Sequence, residues 1–211
     1  MSDAENATPS PEADAAAGAA APARKRPKPG ERRVQILEAL ATMLEQPGAE
    51  RITTAGLAAK LEVSEAALYR HFASKAQMFE GLIEFIEQSV FSLVNQINER
   101  EGAGSAQAAK VVAMLIQFAE KNPGMTRVMV GDALVFENER LQQRMNQFFD
   151  KIEASLRQSL REGGGETPTV DAQVKASVLT SFVVGRLQRF ARSGFKRAPS
   201  EHLEASLARM L

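Results

Sequence analysis

From residue 31 onward, apolar residues recur at intervals of three and four, the spacing that turns one side of an α-helix toward a core; no stretch sustains a period of two. The pattern predicts an all-α protein of about nine helices. Ile36, Leu37, Leu40 and Leu44 mark the first helix, stopped by Pro47-Gly48. Two short helices are predicted at about 54–61 and 65–72. Ser74 then opens a long one, with Gln77 three residues later in the arrangement of a capping box. Its apolar stripe (Phe79, Leu82, Ile83, Ile86, Val90, Leu93, Val94 and Ile97) stops before Gly102-Ala103-Gly104. Further helices are predicted at about 106–121, 124–133, 137–161, 170–194 and 200–210, separated by Pro123-Gly124, Gly163-Gly164-Gly165 and Pro199.

The two short helices carry the sequence TTAGLAAKLEVSEAALYRHFASK at 53–75. Thr53 or Thr54 caps the first and Ser64 caps the second, while Leu57, Ala58, Leu61, Val63, Leu68 and Phe72 close a small core. That leaves one face of the second helix free, with Ser64, Glu65, Ala67, Tyr69, Arg70 and His71 on it and Lys75 just beyond. An α-helix fits the major groove of B-DNA; hydroxyls, imidazole and ammonium donate to phosphate oxygens, and small alanines allow close approach. The segment is a helix-turn-helix.

Charge modifies this picture locally rather than globally. Lys and Arg total 26 in 211 residues, as do Asp and Glu, so a basic surface has to be local. Residues 51–75 have an excess of two positive charges. Ahead of them, residues 1–30 lack Leu, Ile, Val and Phe and are expected to be a disordered tail. The tail ends basic, with Arg24, Lys25, Arg26 and Lys28 followed by Arg32 and Arg33, and beside a DNA-reading motif it reads as a phosphate-tracking arm. The expected organisation is therefore a tail at 1–30, a helix-turn-helix domain at 31–75 and a helical bundle for dimerisation and partner binding at 76–211.

The chain has no Cys and only two His, His71 and His202, too far apart in sequence for ligand or triad spacing. Gly163-Gly164-Gly165 follows no strand, so it is no phosphate cradle, and Glu137 and Glu139 read as solvated acids at a helix start. Catalysis, a metal and a cofactor are not expected. No apolar run approaches the ~18 residues of a membrane span, and the N-terminus lacks a secretory signal, so a cytoplasmic protein without membrane insertion is expected.

From Ala58 to Lys75 the chain reads A-x-x-x-x-V-S-x-x-x-L-Y-x-H-F-x-x-K, and on these residues it resembles the TetR family. Within that family, the stretches at 51–87, 121–162 and 189–196 resemble nucleoid occlusion factors. Two positions depart from the pattern: Glu62 stands where Gly is common, and Ala73 where Pro is common. The resemblance implies a homodimer that binds palindromic double-stranded DNA through Thr53, Ser64, Ala67, Tyr69, His71 and Lys75. It implies association with the nucleoid and, once DNA-bound, engagement of the tubulin-like division protein FtsZ, which blocks septum assembly there. The FtsZ tail would dock between the fourth and fifth helices at Phe85, Lys121 and Asn122.

The residues lend that second surface some support: Met78 and Phe85, seven apart, form an apolar row off the main stripe, which fits a docked peptide or a helix buried on two sides. In the C-terminal part, Leu141, Met145, Phe148, Phe149, Ile152 and Leu156 form an apolar stripe on one helix. Val174, Val178, Leu179, Phe182, Val183, Leu187 and Phe190 do so on the next. Ala176, Ser177, Ser181 and Gly185 are small enough for close helix approach, between subunits or within one. A two-fold dimer would present its recognition helices ~34–36 Å apart. The rival reading is a repressor released by a small molecule held in the bundle, which requires an enclosed cavity.

Overall fold

A computed structural model describes residues 30–46, 51–162 and 168–211. Among these residues there are nine α-helices and no strand. They are α1 (Glu31–Leu44), α2 (Thr54–Lys60), α3 (Glu65–Tyr69), α4 (Lys75–Arg100), α5 (Ser105–Lys121), α6 (Pro123–Met129), α7 (Glu139–Glu162), α8 (Pro168–Arg192) and α9 (Leu203–Met210). A 3-10 turn, Asp132–Leu134, joins α6 to α7, in place of the longer helix expected there. The tail at 1–29, Pro47-Gly48 and the three glycines at 163–165 lie outside the described residues.

The short helices owe their ends to side chains and tight turns. Ser74 accepts the Gln77 N–H (3.2 Å), and Gln77 Oε1 accepts from Ala73 (2.9 Å), one residue before the cap proper. Between α2 and α3 the chain reverses at Glu62, which has a φ of 54°. Its N–H donates to Ala59 (3.1 Å) and that of Val63 to Ala58 (3.0 Å), the paired bonds of a Schellman turn. Glu62 thus occupies the left-handed position that glycine usually takes.

One continuous core runs from Ile36, Leu40 and Leu44 of α1 through Phe72, Phe79 and Ile83 into α5, α7 and α8. The short N-terminal helices therefore share their packing with the bundle. Pro123 starts α6, and the Gly124 backbone presses on α1 so closely that a Cβ there would stand 1.9 Å from the Ala41 carbonyl oxygen. Arg144 of α7 grips Glu87 of α4 with both arms of its fork (3.2 and 2.6 Å); that contact outweighs desolvation and raises the guanidinium pKa further. One turn earlier Arg140 pairs with Glu80.

α7 and α8 form an antiparallel hairpin. Near its closed end Gln173 joins Arg157 (2.8 Å) and Glu153 (3.1 Å); toward its other end Gln142, Asn146, Val184 and Gln188 line one cleft. The α7 stripe is buried at Leu141, Met145, Phe148, Ile152 and Leu156, with Phe149 half-buried. On α8 the apolar residues divide between two faces. Val174 and Val178 are 57% and 47% exposed, and with Val170 (64%) they make an outward apolar row one helical turn apart. Ala176 packs within the subunit, whereas Ser177 and Ser181 are exposed on the outward face and Gly185 has open space where a side chain would go.

Candidate nucleic-acid interface

The helix-turn-helix is built from caps outward. Thr53 Oγ1 accepts the Gly56 N–H (3.1 Å) and Ser64 Oγ accepts that of Ala67 (3.3 Å). Both hydroxyls are committed as acceptors, yet each keeps its own O–H to donate outward. Thr54 donates to Glu65 (2.6 Å), which pins the start of α3 to that of α2 and occupies a carboxylate expected on the free face. Tyr69 is 45% exposed, Arg70 is also exposed, and Ala67 is half-buried.

α3 ends at Tyr69, three residues short of expectation, because Arg70 closes it and the chain turns through His71 into buried Phe72. His71 lies half-buried just past the helix. Its carbonyl accepts from Arg33 Nη1 (2.5 Å), while the same guanidinium lies 4.1 Å from the centre of the Phe72 ring. Arg33, expected in a DNA-tracking arm, is instead a clamp from α1 onto the end of α3.

Lys75 also departs from expectation. Its ammonium bonds Glu137 Oε1 at 2.5 Å and stands 5.7 Å from the Phe79 ring centre. Glu137, read as a solvated helix-start acid, lies before α7 with its side chain only 10% exposed. This ion pair ties the first residue of α4 to the segment ahead of α7. Arg51 sits 6.0 Å from the ring of Phe136, the next residue back, which is exposed. Glu139, by contrast, is exposed as expected.

Phe85, Lys121 and Asn122 occupy the other candidate surface. α4 and α5 fold back on each other, with Gln107 bonding the Glu101 carbonyl (3.0 Å) at their junction. Phe85 and Lys121 each lie about 15 residues, or roughly 23 Å of helix, from that junction, so they stand level on the hairpin. Phe85 is 47% exposed and Lys121 is exposed, while Asn122 caps α5 through a bond to the Phe118 carbonyl (2.7 Å). Met78 is fully buried and takes no part, so the apolar row expected from Met78 to Phe85 is absent. Its place is taken by Phe85 and Leu93, eight residues apart, the latter exposed despite belonging to the expected core stripe.

Residues 36–82 match the bacterial regulatory proteins of the tetR family, and residues 106–210 match the tetracyclin repressor-like C-terminal domain of the SlmA-like type. The chain is 53% identical over 177 residues to the nucleoid occlusion factor SlmA of Vibrio cholerae serotype O1, covering 82% of this chain and 90% of that protein. With the SlmA of Idiomarina loihiensis it shares 50% identity over 177 residues, with the same coverage. The chain belongs to the SlmA family of TetR-type proteins.

SlmA proteins are thus a branch of a DNA-binding regulator class, not of an enzyme class. The fold agrees: a TetR transcriptional regulator from Legionella pneumophila superposes with a TM-score of 0.69 at 15% identity, covering 87% of this chain and 98% of that one. The regulator FadR of Bacillus subtilis, solved with stearoyl-CoA, gives 0.66 at 14% identity, covering 84% and 96%. In this SlmA-family chain the clamps Arg33, Glu65 and Glu137 escape sequence reading because each meets a partner 11 to 62 residues away. For Glu137 there is a faint signal, a carboxylate directly after the apolar run Leu134-Val135-Phe136.

Among the described residues no helix is long and apolar enough to cross a membrane, and no group of three or more His, Asp or Glu is placed to hold a metal. A cleft of about 470 Å³ lies between the α6–α7 junction, α7 and α8, lined by Met129, Asp132, Phe149 and Val184 among others. It is partly open to solvent.

Proposed function

We propose that this protein holds palindromic chromosomal sites as a two-fold homodimer and, while DNA-bound, captures FtsZ and prevents septum assembly over the nucleoid. The observation that carries the reading is α3 itself: a capped helix that offers Tyr69, Ala67 and the hydroxyl of its cap Ser64, beside a second hydroxyl donor at Thr53, the cap of α2, in a chain half identical to nucleoid occlusion factors. Tyr69, His71, Thr53 and Ser64 contact phosphates, and Ala67 lets the helix approach the bases. Lys75 contacts DNA only at the expense of Glu137, so its first role is to orient α4 over the helix-turn-helix.

The apolar row Val170, Val174 and Val178, with Ser177, Ser181 and Gly185 beside it, is the pairing face of the homodimer. The FtsZ tail docks on the α4–α5 hairpin, with Phe85 as the apolar anchor and Lys121 drawing an acidic segment. A repressor released by a small molecule would need an enclosed chamber; the cleft between α7 and α8 is partly open to solvent, and its Val184 and Gln188 wall adjoins the pairing face.

The test pairs two substitutions and reads DNA affinity and FtsZ sedimentation with and without DNA. Tyr69→Ala is expected to weaken DNA binding by about 1–3 kcal/mol. Phe85→Ala is expected to leave DNA affinity unchanged while FtsZ capture falls. Tyr69→Ala with full affinity would remove the α3 assignment, and Phe85→Ala with full FtsZ capture would remove the groove.

A further inference from the structure

Residues 186–197, RLQRFARSGFKR, contain five cations and no carboxylate in a chain whose charges sum to zero. Arg186 is used internally, on the Glu201 carbonyl (2.8 Å) and the Ser206 hydroxyl (3.3 Å). Arg189, Arg192, Lys196 and Arg197 are exposed, and among the described residues their side chains make no ion pair or hydrogen bond. Four unpaired like charges on one helix end repel one another, which favours a polyanionic partner.

The platform under these charges is rigid. Gly194 and Phe195 both take positive φ, 63° and 64°, and the Phe195 N–H closes on the Phe190 carbonyl at 3.0 Å. The Phe195 ring packs edge-on against Phe190 (5.1 Å) and carries Arg127 at 5.1 Å. Ser193 Oγ accepts the N–H groups of both Lys196 (3.1 Å) and Arg197 (2.9 Å), fixing where those two side chains start. A left-handed aromatic residue held this firmly marks a turn built to hold a shape.

Its position identifies the partner. α7 begins beside the first turns of α4, through Lys75–Glu137 and Arg140–Glu80, and α8 runs antiparallel to α7. The C-terminal end of α8 is therefore at the same end of the bundle as α1 to α3. α6, which carries Arg127, also presses its Gly124 on α1 there. A two-fold dimer on a duplex has its axis across the DNA, so both protomers present this same end to it.

We propose that the basic cap formed by Arg189, Arg192, Lys196 and Arg197 is a second DNA-contacting surface, which neutralises phosphates of the duplex between the two half-sites. It rests on the DNA-binding reading above and adds contacts that carry no base information.

The test uses the full chain with Lys196→Gln/Arg197→Gln and, separately, Arg189→Gln/Arg192→Gln, both surface changes whose folding is checked by thermal melting. The probes are a genomic duplex retained by the unaltered protein and the same duplex with neutral methylphosphonates between the half-sites. Each double substitution removes four charges per dimer. The slope of log affinity against log salt should become shallower by about 1 to 4, and the methylphosphonate duplex should abolish the difference. An unchanged slope in both variants, while Tyr69→Ala still loses affinity, overturns the cap and leaves the helix-turn-helix intact. An unchanged slope with weakened binding to phosphatidylglycerol vesicles overturns it in favour of a membrane surface. If the unaltered protein binds no duplex, the DNA reading and the cap fall together.

Discussion

The helix-turn-helix and the α7–α8 hairpin solve opposite problems. α2 and α3 are 7 and 5 residues long, below the length at which a helix persists alone, and they hold together through side-chain caps, a Schellman turn and clamps from Arg33 and Glu65. Their outward face is polar. α7 and α8, at 24 and 25 residues, are held by packing, and α8 keeps an apolar row facing out. A small unit that must present a fixed polar face needs its ends specified residue by residue; a long hairpin held by packing can leave part of its apolar surface outward, the face proposed to meet a second copy.

Three substitutions sharpen that contrast. The largest effect is expected in the hairpin: Phe148, fully buried and edge-on to both Phe91 (5.5 Å) and Phe149 (5.1 Å), should cost about 3–5 kcal/mol when changed to Ala. Urea denaturation measures it, and a loss below about 1 kcal/mol would mean that packing does not dominate there. Next comes the junction between the two regions. Lys75→Ala leaves Glu137 nearly buried without its cation and should cost about 1–3 kcal/mol, much of it recovered by adding Glu137→Gln. A double-mutant cycle showing no coupling would make the ion pair incidental. The smallest effect has the opposite sign: Glu62→Gly relieves a left-handed backbone and should stabilise the protein by up to about 1 kcal/mol. Destabilisation would instead show that the Glu62 side chain outweighs its backbone strain.

The same contrast explains what the sequence made legible. Helix existence, the Thr53 and Ser64 caps and the Gln77 reach are local matters, decided within four residues, and the structure has them. Glu62 was legible only as a departure from Gly in that turn; the positive φ is seen in the folded chain. Periodicity marks Leu93, Val174 and Val178 as apolar on a helical face, but not whether a neighbour covers that face, and among the described residues all three stay exposed. Met78 shows the reverse: off the main stripe, it is buried, as on a helix covered on two sides. Lys75 kept its candidate role in sequence because Glu137 is 62 residues away, and only the fold brings the carboxylate to it.

The most direct measurement of the central claim is the salt dependence of affinity for double-stranded genomic fragments, read on the full chain at several ionic strengths. Retained fragments are expected to be palindromic, with affinity falling steeply and linearly on a log–log plot as salt rises. Affinity that is absent, or that ignores salt across all fragments, would contradict the claim.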